Sequence, residues 1–169
     1  MSHLIVSSET SMLIKFLDNQ RNHVLGILEG LDEETLRRPI LPSGWSCLGM
    51  LGHLALDVER FWFQCVVAGD QDAIRSLDDI HDAWKVGPDV PAESMFTQYR
   101  QQIALSNEII ASRSIESEFA WWPDDAFGDW RMENVRQLVL HVMTETACHA
   151  GHLDAVRELI DGRKWMVQP

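Results

Sequence analysis

The sequence predicts an all-α protein, a four-helix bundle in which a long connection crosses over between helices 2 and 3. Three observations carry this. Apolar residues recur at alternating three- and four-residue steps through four stretches of roughly twenty residues or more, the period of a helix with one buried face. No stretch alternates apolar and polar residues as a half-buried strand does. No self-similar period and no low-complexity block divides the chain, so residues 1–169 read as a single domain.

The first helix spans about Ser7 to Glu29, where Leu13, Leu17, Gln20, Val24 and Ile27 form a stripe that Phe16 and Leu28 widen, and Gly30 stops it. Asp32 to Arg38 reads as one more helical turn or two before Pro39, Pro42 and Gly44. Ser46, a good N-cap, opens the second helix, which runs to about Ala68 with Leu48, Leu51, Ala55, Val58, Phe61, Trp62 and Cys65 inward. Asp70 to Pro91 is acidic and long enough to cross the end of a bundle, with a short helix expected around Ile74 to Trp84. The third helix, about Ala92 to Ala111, presents Phe96, Tyr99, Ile103 and Ile110. After an irregular stretch carrying Trp121, Trp122, Gly128 and Trp130, the fourth helix runs from about Glu133 to Ile160 and ends at Asp161-Gly162.

Composition excludes several function classes. Fourteen Lys and Arg against twenty-six Asp and Glu give a net charge of −12 and a pI near 4.8, which repels a phosphate backbone, so no nucleic-acid partner is expected. Three cysteines, Cys47, Cys65 and Cys148, without a C-x-x-C pair suggest neither a disulfide framework nor a zinc ribbon and suit a reducing cytosol. Met1 to Lys15 lacks the basic start of a signal peptide, and no apolar run approaches the ~18 residues of a membrane span. A cytoplasmic protein with no membrane contact is the expectation.

The chemistry-bearing residues concentrate on helices 2 and 4. At about 100° per residue, His141, Glu145, His149 and His152 fall within about 80° of one another, on the stripe that Leu138, Val142, Val156 and Leu159 share or border. Burying these groups unpaired would cost several kcal/mol each, and a metal ion is the simplest common partner. Glu145 and His149, four apart, offer an oxygen and a nitrogen to one ion; His53, flanked by core-type residues on helix 2, would supply the third ligand and leave a position open. Imidazole and carboxylate without thiolate suit zinc first, with nickel, iron and manganese compatible. The competing reading is that each inward histidine is a hydrogen-bonded core residue, and His141 could simply bond across the bundle. His152 lies about one turn beyond His149, where a three-ligand tetrahedral site has no vacancy, so it is expected to bond the bound water or a ligand. Asp57, one turn from His53, is a candidate acceptor for the imidazole N–H. His3, His23 and His81 show no partner pattern and are expected at the surface. There is no H-E-x-x-H, no repeated E-x-x-H, no P-loop, no dinucleotide fingerprint and no nucleophile elbow.

Two blocks, Trp45-Ser46-x-Leu48-Gly49-Met50-Leu51-x-His53-Leu54-Ala55 and Glu145-Thr146-Ala147-Cys148-His149-Ala150-Gly151-His152, followed by Arg157-Glu158-Leu159-Ile160-Asp161-Gly162, resemble the DinB/YfiT-like superfamily. Within it the chain is most similar to the mycothiol transferase group, related to mycothiol-dependent maleylpyruvate isomerase. The resemblance implies a four-helix bundle in up-down-down-up order and a metal triad at His53, Glu145 and His149. It also implies a low-molecular-weight thiol cosubstrate, mycothiol above all, that takes the open metal position, loses its proton and attacks a small-molecule electrophile. Arg60, two α-helical turns from His53 and about 20° off its direction, could then meet a carboxylate or sugar hydroxyl of the thiol, or pair with a neighbouring acid. Trp62, inward on helix 2, belongs with Trp121, Trp122 and Trp130 to a set of rings that either closes the bundle ends or lines a pocket for an apolar electrophile. The same triad would also serve a metal-dependent hydrolase or a non-catalytic metal-binding stress or sensor protein, and pairing of two copies into a homodimer is compatible with all three.

Overall fold

The computed structural model describes residues 7–79, 82–124 and 126–165, and within them the protein is all-helical. The predicted first, third and fourth helices are present as α1 (Ser8–Leu28), α5 (Ala92–Ala111) and α6 (Val135–Asp161). Short polar side chains start α1 and α6: Ser7 Oγ accepts the Thr10 amide at 3.0 Å, and Asn134 Oδ1 accepts the Gln137 amide at 3.1 Å. Gly162, at φ +79°, closes α6 in the left-handed conformation that a side chain would disfavour. The turn at Asp32–Arg38 holds α2 (Glu33–Arg37).

The second predicted helix differs from expectation. It starts as α3 (Cys47–His53), capped by Ser46 Oγ on the Gly49 amide, and continues from Leu54 to Val67 as a π-helix with i→i+5 bonding. A π-helix takes more residues per turn than an α-helix, and the burial pattern matches: the buried pairs Leu54-Ala55, Val58-Glu59, Trp62-Phe63 and Val66-Val67 recur every four residues. An α-helix would carry such a strict four-residue step gradually round its axis, whereas the wider turn keeps it facing the core.

The short helix expected over Ile74 to Trp84 begins earlier and stops sooner, as α4 (Gln71–Arg75) followed by a 3₁₀ turn (Ser76–Asp79). Asp70 Oδ1 accepts the amides of Asp72 and Ala73 and so fixes the start, while Asp82 Oδ1 takes the Trp84 amide at 3.1 Å and holds the later stretch in a turn.

α1 packs on α6, the π-helix packs on α5 and α6, and α1 and α3 both reach α5. The shared core runs from Leu17, Val24 and Ile27 through Leu51, Leu54 and Phe63 to Leu138, Val142 and Leu153. Two predicted members of the apolar stripes lie outside it: Phe16 is 53% exposed and Leu159 65%. Arg21 on the same helix is buried, because its guanidinium is bidentate on Glu59, at 2.7 and 2.6 Å, and also reaches Asp18 and Asn107. That pair ties α1 to the π-helix inside the core. The cysteines are unpaired; burial pushes Cys47 and Cys65 up to about 11, so both are inert packing residues, and Cys148 is exposed. Among the described residues no helix is long and apolar enough to cross a membrane.

Candidate metal centre

His53 is the last residue of α3, at the change from α to π, and faces Glu145 and His149 on α6. One ligand atom from each of the three lies within 4.8 Å of the others. Glu145 Oε1 is 3.0 Å from His149 Nε2 and 3.8 Å from His53 Nε2, which brackets the ~3.4 Å separating ligand atoms around a tetrahedral ion with ~2.1 Å bonds. Among the described residues His53 Nε2 is buried with no hydrogen-bond partner, and so is His149 Nδ1. An orphaned buried polar atom costs about 1–3 kcal/mol, and for His53 Nε2 a cation is the partner whose place the geometry leaves. On its other side His53 Nδ1 donates to Asp57 Oδ2 at 2.9 Å, which directs the Nε2 lone pair toward the triad. Burial lowers the pKa of His149, partly offset by Glu145, and keeps the imidazole in its neutral, ligating form. The residues present therefore fit a divalent cation.

These groups lie at the margin of the interior. The buried face of α6 is centred on Val142, Thr146, Ala150 and Leu153, one residue further round than Glu145 and His149. The Glu145 side chain is consequently 38% exposed, and His152, which the stripe argument turns inward, is exposed, its ring 5.7 Å from that of His149.

Sequence reasoning missed Trp84. Its indole stacks on the His53 ring at 4.2 Å and 17°, and meets His149 edge-on at 5.9 Å. Two glycines of α3 make room for it: a Cβ on Gly49 would collide with the Trp84 carbonyl, and one on Gly52 would sit 2.5 Å from the Ala83 carbonyl oxygen. Gly52 thus permits the close approach of an irregular segment. Two glycines three apart beside a histidine were the available signal.

Two members of the triad, His53 and Glu145, open on a cavity of ≈390 Å³ whose wall also includes Asp57, Val58, Phe61, Trp62, Phe127 and His141. A larger cavity of ≈550 Å³, walled by Arg37, Trp45, Trp84 and Lys85 among others, contains none of the triad, so the chemistry belongs to the smaller one. His141 lies between Trp62, at 5.1 Å, and Trp130, at 5.5 Å, and burial lowers its pKa. Arg60 is absent from the cavity wall and donates to Ser76 Oγ; in the π-helix, seven residues no longer make nearly two full turns, which takes its direction away from that of His53. His23, expected at the surface, is instead largely buried, bonded to Asp154 Oδ1 at 2.7 Å and stacked on Trp165, a contact between distant elements that leaves no local pattern. His3 and His81 lie outside the described residues.

No curated protein matches the chain. A family model described as Mycothiol-S-transferase matches residues 12–162, a span that includes all but the first four residues of α1, the α3 and π-helix pair, α5, α6 and all three residues of the triad. The protein belongs to the mycothiol S-transferase family.

Proposed function

We propose that this protein is a metal-dependent S-transferase that joins a low-molecular-weight thiol, mycothiol first among candidates, to a small electrophile in a conjugation of the detoxifying type. The observation that carries the reading is the unpartnered His53 Nε2, which faces Glu145 and His149 at the wall of an apolar cavity. A divalent cation there, zinc by donor chemistry, would supply Lewis acidity that lowers a thiol's pKa toward neutrality. His53, Glu145 and His149 would hold it. Asp57 fixes the His53 ring and its tautomer. Trp84 covers one side of His53 and keeps water from it. Phe61, Trp62 and Phe127 provide a wall against which an electrophile is desolvated. In the transfer, a sulfur lone pair forms the S–C bond. The electrons of the broken bond leave on the departing atom or on the far end of an activated double bond, which takes up the proton the thiol has lost. No nucleophile of the protein is consumed.

The same reading takes residues 1–169 as one domain with the four long helical segments in up-down-down-up order, a cytoplasmic location, and a homodimer as a compatible assembly. Incubation of zinc-loaded protein with mycothiol, bacillithiol or glutathione and a bimane electrophile tests it. Accelerated conjugation with one thiol, lost in His149→Ala, is the expected result. Ester turnover without thiol would point to a hydrolase, and neither activity to a binding or sensor role.

A further inference from the structure

The cavity beside the triad has a wall composition that discriminates between classes of electrophile. Phe61 meets Trp62 edge-on at 4.8 Å, and Trp62 stacks on Phe127 at 5.5 Å and 19°. A second layer, Trp122 and Trp130, packs behind Phe127 at 6.0 and 5.5 Å. Phe127 and Trp130 nevertheless remain 36% and 46% exposed, so the rings bury one another incompletely and leave flat apolar surface open. The volume, ≈390 Å³, lies in the range of small-ligand pockets, about 300–1,000 Å³.

Charge narrows the class further. The cavity wall includes no Lys or Arg, since Arg60 is turned to Ser76. It does include two carboxylates, Asp57 and Glu145, which together offset the charge of a divalent cation, and the whole chain carries −12. At the aromatic end of the wall, away from the triad, a carboxylate ligand would lose its hydration with no cationic side chain to replace it. His141 is the one polar side chain of the wall that is neither in the triad nor bonded to it, and its ring nitrogens have no hydrogen-bond partner among the described residues. It stands at the aromatic end, where it can donate to a neutral acceptor oxygen such as a carbonyl, nitro or epoxide group.

We propose that the acceptor is a planar, uncharged aromatic electrophile, held against the open faces and edges of Phe61, Trp62 and Phe127 with its polar substituent at His141, and that aliphatic carboxylate acceptors are excluded. The assignment of this ligand as the acceptor rests on the thiol-transfer reading; the class of ligand rests on the cavity alone.

The test is calorimetric titration of the full-length, zinc-loaded protein, without thiol, with 2-naphthylmethanol, 2-naphthoate and maleate. The neutral naphthalene is expected to bind about tenfold or more tightly than the naphthoate, and maleate not to bind, the size of effect that one unreplaced charge contact produces. Phe127→Ala, at a partly exposed ring, is expected to weaken 2-naphthylmethanol about tenfold with zinc content and circular dichroism unchanged, and Trp130→Ala to act in the same direction. Naphthoate binding as tightly as the alcohol, or indifference of both variants, would overturn the proposal. Conjugation confined to aliphatic carboxylate acceptors would overturn it while leaving the transferase reading intact. The neutral preference without conjugation of any acceptor would support the ligand class and remove the transferase reading.

Discussion

Asp57 is the residue whose removal tests the site with least disturbance to the core, since its side chain is 42% exposed and its task is one hydrogen bond to His53 Nδ1. Without that bond the ring loses both its orientation and its fixed tautomer. Asp57→Ala is therefore expected to lower zinc affinity by about 10–100-fold in a chelator competition, and unchanged affinity would show that packing against Trp84 alone orients His53. His152 calls for the opposite outcome. Exposed and one turn beyond His149, it is expected in His152→Ala to leave the zinc content intact and to reduce the rate of conjugation. If His152→Ala empties the site while Glu145→Gln leaves it filled, the ligands on α6 are His149 and His152. The triad was legible because i,i+4 spacing puts Glu145 and His149 on one side of a helix whatever that helix packs against. Trp84 was not, because its place over His53 is set by an irregular segment and two glycines, a contact between residues 31 apart in sequence for which no periodicity exists.

At the scale of elements, the change from α to π at His53 governs which of the downstream side chains share its surroundings. Asp57 remains within reach while Arg60 does not. The existence of this helix was legible in its apolar period, but its winding was not, since three- and four-residue steps are read by default as α; the strict four-residue recurrence from Leu54 to Val67 was the sign. Two contacts hold the stretch in place. The buried pair of Glu59 with Arg21 secures the middle of the π-helix, and Glu59→Ala leaves a guanidinium that is 1% exposed with its Nε and Nη2 donors unpaired and Asp18 alone to offset its charge. A loss of about 3–5 kcal/mol in urea unfolding is expected. The second contact is the approach of residues 82–86 to α3. Gly52→Ala places a methyl 2.5 Å from the Ala83 carbonyl oxygen, backbone that cannot rotate aside. An overpacking cost of about 1–3 kcal/mol is expected, together with weaker zinc binding as Trp84 shifts off His53. Equal stability and affinity in this variant would mean that the 82–86 segment adjusts freely and that its closeness is incidental.

Across the whole molecule the triad joins two parts of the chain far apart in sequence, the α3–π-helix junction at His53 and the middle of α6, 92 and 96 residues later. These elements also touch directly, but the strongest packing is of α1 on α6 and of the π-helix on α5, so the molecule resembles two helix pairs laid side by side with the site at their seam. All-α architecture followed from the sequence because amphipathic helices declare themselves locally; which pairs pack was not readable from any single stretch. A cation bound by both sides of the seam acts as a clip that exists only in the folded state, because the unfolded chain holds His53 and His149 far apart. Free zinc at about 100 times its dissociation constant is then expected to add about 2.7 kcal/mol to stability. For a chain of 169 residues this is a rise in Tm of about 5–10 °C, reversed by chelator. His53→Ala breaks the clip on one side and is expected to abolish most of the rise even if Glu145 and His149 still bind zinc weakly on α6 alone. A wild-type Tm indifferent to zinc, or an equal rise in His53→Ala, would mean that the two halves of the seam are not joined through the metal and that the site resides on a single helix.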